Sequence, residues 1–376
     1  MNAIATIKPA HPPCDKGTIT VTISDLRPGI IKAVAIVERR NTIPILGCLH
    51  ITPKRDKLEI RATNIDTWLT ITCPAQCAAG EPFTIDARLM DMILRGADRA
   101  DSVRIERQDN ILILRHGTAT IRLQELCPPS DFPAEPEADD MASCEVPETV
   151  LAKLIDSVRW AISTEETRYY LNGIYLHARD GMLAGCATDG HRLALYQTTT
   201  DYPLEAVIFP RYSVAALRNL LTAGGNHAVR ISAALDKPRM RIEGDGWSAT
   251  VKCIDGTFPD YTRVIPGRDK ARGHAVINRH TMRIFPSFRK LSHCREGIKL
   301  DLGNGIATCS SISLGLTVEA PIEASGDFSV GFNQRYLTEV VSLFGTVKLE
   351  AASSGDAAHV LTEDPDLTVV LMPMRV

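Results

Sequence analysis

Few residues have the type and spacing that chemistry needs. Asp189 and His191 stand two apart, so on a strand they share a face and could form an acid–base pair. Gly190 between them reads as a turn, however. The chain has no Gly-x-Ser-x-Gly nucleophile segment and no phosphate-cradling loop. Cys73 and Cys77 lie close together, but no second cysteine or histidine pair completes a zinc pattern. The other eight cysteines are scattered, as reduced thiols in a cytoplasmic protein would be. The expectation is therefore a protein that is not an enzyme and holds no cofactor or metal. The residues that stand out are adhesive: the segment Thr188-Asp189-Gly190-His191-Arg192-Leu193, the pair Tyr169-Tyr170, and the closing run Leu371-Met372-Pro373-Met374-Arg375. By itself the closing run, with Pro between two Met residues, reads as no more than an end strand.

These segments belong to a repeat. Ala62-Thr63-Asn64 returns as Ala187-Thr188-Asp189, with a fainter Ala307-Thr308 after it. Cys127 leads to Phe132-Pro133 as Cys253 leads to Phe258-Pro259. Leu46-Gly47-Cys48-Leu49-His50 parallels Asn172-Gly173-Ile174-Tyr175-Leu176-His177. Three markers in one order, at a period of roughly a third of the chain, imply three similar domains of ordinary size. The Pro- and acid-rich stretch Pro128 to Pro147 and the stretch Pro259 to Gly273 read as linkers. The domains are expected at 1–140, 141–267 and 268–376. Alternating apolar residues predict strands at 17–23, 111–114 and 119–123. Helical spacing appears in six windows, two per repeat: 25–40, 86–99, 147–168, 210–223, 278–292 and 333–345. Asp25, Asp86, Pro147 with Glu148, Pro210, Asn278 and Asn333 supply start signals. Runs of strands broken by isolated helices indicate an α+β fold.

The 376 residues are 44% hydrophobic and only 5% aromatic, so the cores must be built from Leu, Ile, Val and Ala. The N-terminus lacks the apolar core of a signal peptide, and no stretch is long enough to span a membrane. The formal net charge of −3 gives no hint of a polyanion partner. Its distribution does: the six helical windows hold about 17 Arg and Lys against about 10 Asp and Glu, leaving an acidic remainder. Such segregation suits a body that holds a polyanion on one surface and repels it elsewhere. A solvated helix face is the plainer explanation, because Lys and Arg are good helix formers.

Arg168-Tyr169-Tyr170-Leu171-Asn172-Gly173, Ala187 to Ala194, Phe258 to Pro266 and Leu371 to Val376 together resemble the bacterial DNA sliding clamp, the beta subunit of DNA polymerase III. Thr42-Ile43-Pro44-Ile45-Leu46-Gly47 is similar to the same family, and the likeness covers nearly the whole chain. The resemblance implies a head-to-tail homodimer whose helices line a hole around duplex DNA, touching phosphates without reading bases. It implies a pocket for partner peptides made by Leu171, Thr188, Gly190, His191, Arg192, Leu193, Pro259, Arg263, Val264, Asn333, Tyr336, Val370, Leu371, Met372, Pro373, Met374 and Arg375. The partners implied are the replicative polymerase, the clamp loader and other proteins carrying the clamp-binding motif. DNA contact falls to Arg40, Tyr169, Tyr170 and Arg211, and the subunit seam to Ile121, Leu123, Lys290 and Leu291.

Several positions depart from the family pattern. Glu165 and Tyr212 replace residues friendlier to phosphate, and Lys290 stands where an apolar residue is usual. Pro286 interrupts the first helix of the third domain, which must start later, kink or be shortened. The leader before Gly17 is longer than the family's. A specialised copy that binds partners without a stable ring is the alternative these departures raise.

Overall fold

The computed structural model describes residues 17–38, 42–98, 100–125, 127–136, 141–221, 227–234, 238–285, 297–311 and 315–375. Arg40, Lys290, Leu291 and Pro286, singled out above, lie outside them.

Among the described residues six α-helices form where the spacing predicts them: α1 (Ile23–Val34), α2 (Ala87–Arg95), α3 (Glu148–Val158), α4 (Arg211–Leu220), α5 (Arg279–Ile284) and α6 (Gln334–Phe344). Three start on the cap the sequence offers. The side chains of Asp86, Asn278 and Asn333 accept from the backbone N–H groups of Leu89, Thr281 and Arg335 at 2.7, 2.9 and 3.0 Å. In α1 the cap is Thr22, whose Oγ1 accepts from Asp25 N–H at 3.2 Å, so Asp25 sits inside the first turn. The window 147–168 is not one helix. After Val158 it tightens into 3-10 turns at Arg159–Ala161 and Glu166–Leu171. Among the described residues helix α5 stops at Phe285, which takes the extended conformation favoured before proline (φ −89, ψ 108); the rest of the window 278–292 lies outside them.

The strands of the described residues form four antiparallel sheets. Two are confined to the ends of the chain. The first is Thr18–Thr22, Ser102–Gln108, Ile111–His116 and Ala119–Gln124; the last is Leu316–Pro321, Ile306–Ser311, Gly297–Asp301 and Ser329–Asn333. The other two run across domain seams. Strand Thr67–Pro74 pairs with Trp247–Lys252, fusing four strands on each side into an eight-stranded sheet. Strand Arg192–Asp201 pairs with Leu367–Leu371, making a nine-stranded sheet with Arg192 opposite Leu371 and Leu193 opposite Val370. A buried hydrogen bond between the hydroxyls of Thr67 and Ser213 (2.8 Å) closes the first seam. Met141–Pro147, the end of the stretch expected as a linker, is itself a strand paired with Ala228–Ala234.

The helices form a layer on these sheets. Helix α1 packs on α2 and on α4 across the seam; α4 packs on α3, and α5 on α6. Helices α3, α4 and α6 border a crevice of about 680 Å³ lined by Ala152, Trp160, Arg218, Leu343, Phe344 and Leu367 among others. Beneath the layer one continuous core of Leu, Ile, Val and Ala runs through all three domains, as the scarcity of aromatics demands.

The repeat markers have a structural cause. Ala62-Thr63 and Ala187-Thr188 each end a strand, and the next residue makes the turn: Asn64 Oδ1 accepts from Asp66 and Thr67 N–H (3.2 and 2.7 Å), and Asp189 Oδ1 from His191 and Arg192 N–H (2.9 and 3.0 Å). The residue after each is left-handed, Gly190 at φ 85 and Ile65 at φ 76. Only glycine takes that conformation without strain. Ala307-Thr308 falls inside strand Ile306–Ser311, so the faintest marker does not share this geometry.

Candidate functional site

The residues expected to line a peptide pocket fall on four pieces of structure, beginning with an apolar base. That base, or floor, is an apolar cluster separate from the main core: Leu171, Leu193, Val370, Phe258 and Tyr261, all less than 9% exposed. Burying such side chains contributes about 1.5–3 kcal/mol each, which fixes the floor firmly. The second piece is the turn Thr188–Leu193. Thr188 Oγ1 donates to Arg192 O (2.7 Å) and accepts from Gly190 N–H (3.1 Å). Asp189 is fully engaged by two backbone amides and by Arg192 Nε at 3.2 Å. Its carboxylate is structural, so the Asp189–His191 acid–base pair does not form.

The third piece is the C-terminal tail, a strap across the seam between the second and third domains. Met372 N–H donates to His191 O and Met374 N–H to Gly331 O, both at 2.8 Å. Met372 is 36% exposed, Pro373 and Met374 are half-buried, and Arg375 is exposed. The fourth piece is the start of α6. Asn333 is its cap, and Tyr336 stacks on the His191 ring (centroids 5.7 Å apart). Pro259, Arg263 and Val264 are exposed beside the floor, on and just before the 3-10 turn Tyr261–Val264. Arg263 is tied to Asp260 (3.0 Å).

Arg192 is held more tightly than the sequence suggests. Its side chain is 6% exposed and its guanidinium lies between the rings of Trp160 and Tyr336, 5.1 and 4.9 Å from their centroids. Nη1 stands 2.6 Å from Glu339 Oε2 as an ion pair without hydrogen-bond alignment. Sequence reasoning misses Trp160 and Glu339 because nothing local marks them. It also misses His177 and Tyr261 as a pair. His177 Nε2 and the Tyr261 hydroxyl lie 2.7 Å apart, and burial lowers the His177 pKa while raising Tyr261 to about 12. The clue was available: His50 and His177 occupy matching repeat positions. His50 packs on Phe132 with the rings tilted by 44°, and His177 stacks on Tyr175, which in turn stacks on Phe258.

Among the residues expected to touch DNA, Tyr169 is 53% exposed, Tyr170 is half-buried, and the two rings meet edge to face. Arg211 is exposed at the start of α4. Glu165 is exposed but ion-paired with Arg168. Several helix cations are likewise partnered: Arg95 with Asp91, Lys153 with Asp364, Arg218 with Asp156. Ile121 and Leu123 are half-buried on Ala119–Gln124, the last strand of the first sheet. Cys73 is buried and its pKa is pushed up to about 11, which makes it a packing thiol rather than a reactive one.

Similar α+β units joined sheet edge to sheet edge, with a helix layer along them, have the architecture of a DNA sliding clamp. Comparison with known proteins specifies which kind. Residues 18–136 match the N-terminal domain of the DNA polymerase III beta subunit and 145–260 its central domain. The chain is 33% identical to the beta sliding clamp of Caulobacter vibrioides, over 93% of this chain and 98% of that one. It is 31% identical to that of Pseudomonas aeruginosa, over 90% and 95%. The solved P. aeruginosa sliding clamp bound to griselimycin superposes with a TM-score of 0.84 at 28% identity, covering 96% of this chain and all of that one. The Caulobacter crescentus clamp gives 0.84 at 30% identity with the same coverage. The chain belongs to the bacterial beta sliding clamp family, the beta subunit of DNA polymerase III.

Proposed function

We propose that two copies close head to tail around duplex DNA and hold the replicative polymerase, the clamp loader and other motif-bearing proteins through the pocket just described. The domains of this reading are 1–140, 141–267 and 268–376. The observation that carries the ring is the repetition of one joint. Both seams inside the chain are antiparallel edge-to-edge pairings, and the terminal sheets end on strands Ala119–Gln124 and Leu316–Pro321. Pairing these two edges between copies makes a third seam like the first two and removes exposed strand edges that otherwise invite aggregation. Ile121 and Leu123 then become interior, opposite the third domain of the other copy. Lys290 and Leu291 are assigned to the same seam from the family pattern. The helix layer faces the hole, with Arg211, Tyr169 and Tyr170 toward DNA, and Arg40 is assigned to DNA contact from the family pattern. Likeness to known clamps over nearly the full length favours a working clamp over a copy that binds partners alone. The protein carries out no chemistry and works in the cytoplasm; among the described residues no helix is long and apolar enough to cross a membrane.

The pocket is tested with a fluorescent peptide that begins with Gln and ends in Leu-Phe. It binds the intact chain, and deleting Met372 to Val376 abolishes binding while the circular dichroism spectrum is retained. Binding that survives the deletion overturns the placement. Griselimycin, held by the P. aeruginosa clamp, serves as a competitor.

A further inference from the structure

Beyond the strap lies a second groove, of about 590 Å³, on the third domain. It is lined by Lys299, Ser329, Val330 and Gly331 of the last sheet, Ser354 and Gly355, and the tail residues Pro373, Met374 and Arg375. Three features define what it suits. The charged groups in its lining are Lys299 and Arg375, both exposed, and no acid joins them. The acid on the strand of Lys299 is Asp301, whose carboxylate is held first by Asn304 (3.1 Å from backbone and side chain) and feels the Lys299 charge as a smaller effect. One wall is Ser329–Asn333, the edge strand of its sheet, and its Gly331 carbonyl already accepts a hydrogen bond from the tail. Small residues, Ser354 and Gly355, leave the opposite wall open. An edge strand, two hydroxyls and two cations suit an extended acidic chain, bound through its backbone and steered by its charge.

The groove is continuous with the pocket through Pro373, Met374 and Arg375. We infer that it receives an acidic segment flanking the pocket-binding motif on the same partner chain, so that Lys299 and Arg375 select among partners by the charge beside their motif. This rests on the pocket reading above, and the experiment separates the two.

Three fluorescent peptides share the motif. One has neutral Ser-Gly flanks, one an acidic run before the Gln, one an acidic run after the Leu-Phe. Each is titrated against the full chain and against Lys299→Glu. One acidic peptide should bind about three- to tenfold tighter than the neutral one at low salt, the range two exposed ion pairs supply. The gain should disappear in Lys299→Glu and shrink at high salt, while the neutral peptide binds both proteins alike. Equal affinity of all three peptides for the wild type overturns the inference and leaves the pocket standing. A gain that persists in Lys299→Glu overturns it too, because the acidic flank then lies elsewhere. Failure of the neutral peptide to bind the wild type overturns the pocket reading and this inference with it.

Discussion

Arg192 shows how one side chain can hold two domains in register. Trp160 and Asp189 belong to the second domain, Tyr336 and Glu339 to the third, and the guanidinium touches all four. A flat, permanently charged group can stack on two rings and pair at its edges; an ammonium cannot do both. Arg192→Ala leaves Asp189 and Glu339 facing each other without a cation. It should cost about 2–3 kcal/mol, toward the lower side for a broken buried pair because Glu339 keeps some solvent. Arg192→Lys should recover little of that. Urea unfolding of the three proteins, with motif-peptide affinity alongside, measures it. If Lys restores both values, the stacking is incidental. The turn that carries Arg192 was legible in the sequence, because Asx turns are written locally in Thr-Asp-Gly. Its sandwich was not, because Trp160 and Glu339 come from distant parts of the chain and meet only through the paired strands Arg192–Asp201 and Leu367–Leu371.

Among the elements, the helices are the most legible in the sequence and their ends the least. Caps Asp86, Asn278 and Asn333 are local signals that the structure bears out, whereas α3 gives way to 3-10 turns at Arg159, where packing overrides the apolar period. The 3-10 turn Tyr261–Val264 reads as linker in the sequence, since four residues carry no periodicity. It is held by the hydrogen bond between Tyr261 and buried His177. Burial lowers the His177 pKa, so the folded protein keeps it neutral while the unfolded chain protonates near 6.5. Stability from this site is therefore complete above that pH and is lost as pH falls through the folded-state value. His50, lowered by burial in the first repeat, adds in the same direction, and the positive charge of Arg179 facing His177 reinforces it. Melting temperatures should drop from pH 7.5 to 5, and His177→Gln should flatten part of that slope while His50 retains the rest. An unchanged slope in the variant would show that the histidine does not titrate with folding.

For the whole molecule, the fold is one joint used repeatedly. The repeat was visible in the first two units because both rebuild the same turn after Ala-Thr and both set a histidine, His50 or His177, against an aromatic ring. That the sheets fuse across seams was not, because strand pairing between units leaves no mark in either sequence. The fused sheets give ring closure its physical basis: the end strand Ala119–Gln124 presents half-buried Ile121 and Leu123 beside exposed Ala119, Thr120 and Arg122. Two carboxylates placed there lose the packing of Ile121 and Leu123 on the core of their own chain but stay in water, whereas a closed seam would bury them unpaired at a larger cost. Ile121→Asp with Leu123→Asp should therefore convert the dimer to a 41.1 kDa monomer in sedimentation. The same variant should bind motif peptide as well as the parent, because every residue of the proposed pocket belongs to one chain. Loaded onto nicked circular duplex, the parent should stay bound and the variant should fall off. The parent's direct affinity for linear duplex should be weak and drop steeply with salt, as phosphate contact requires. A variant that remains dimeric would place the closing joint elsewhere. A monomer that still rides the circle would mean that DNA is held by the helix cations alone, without a ring.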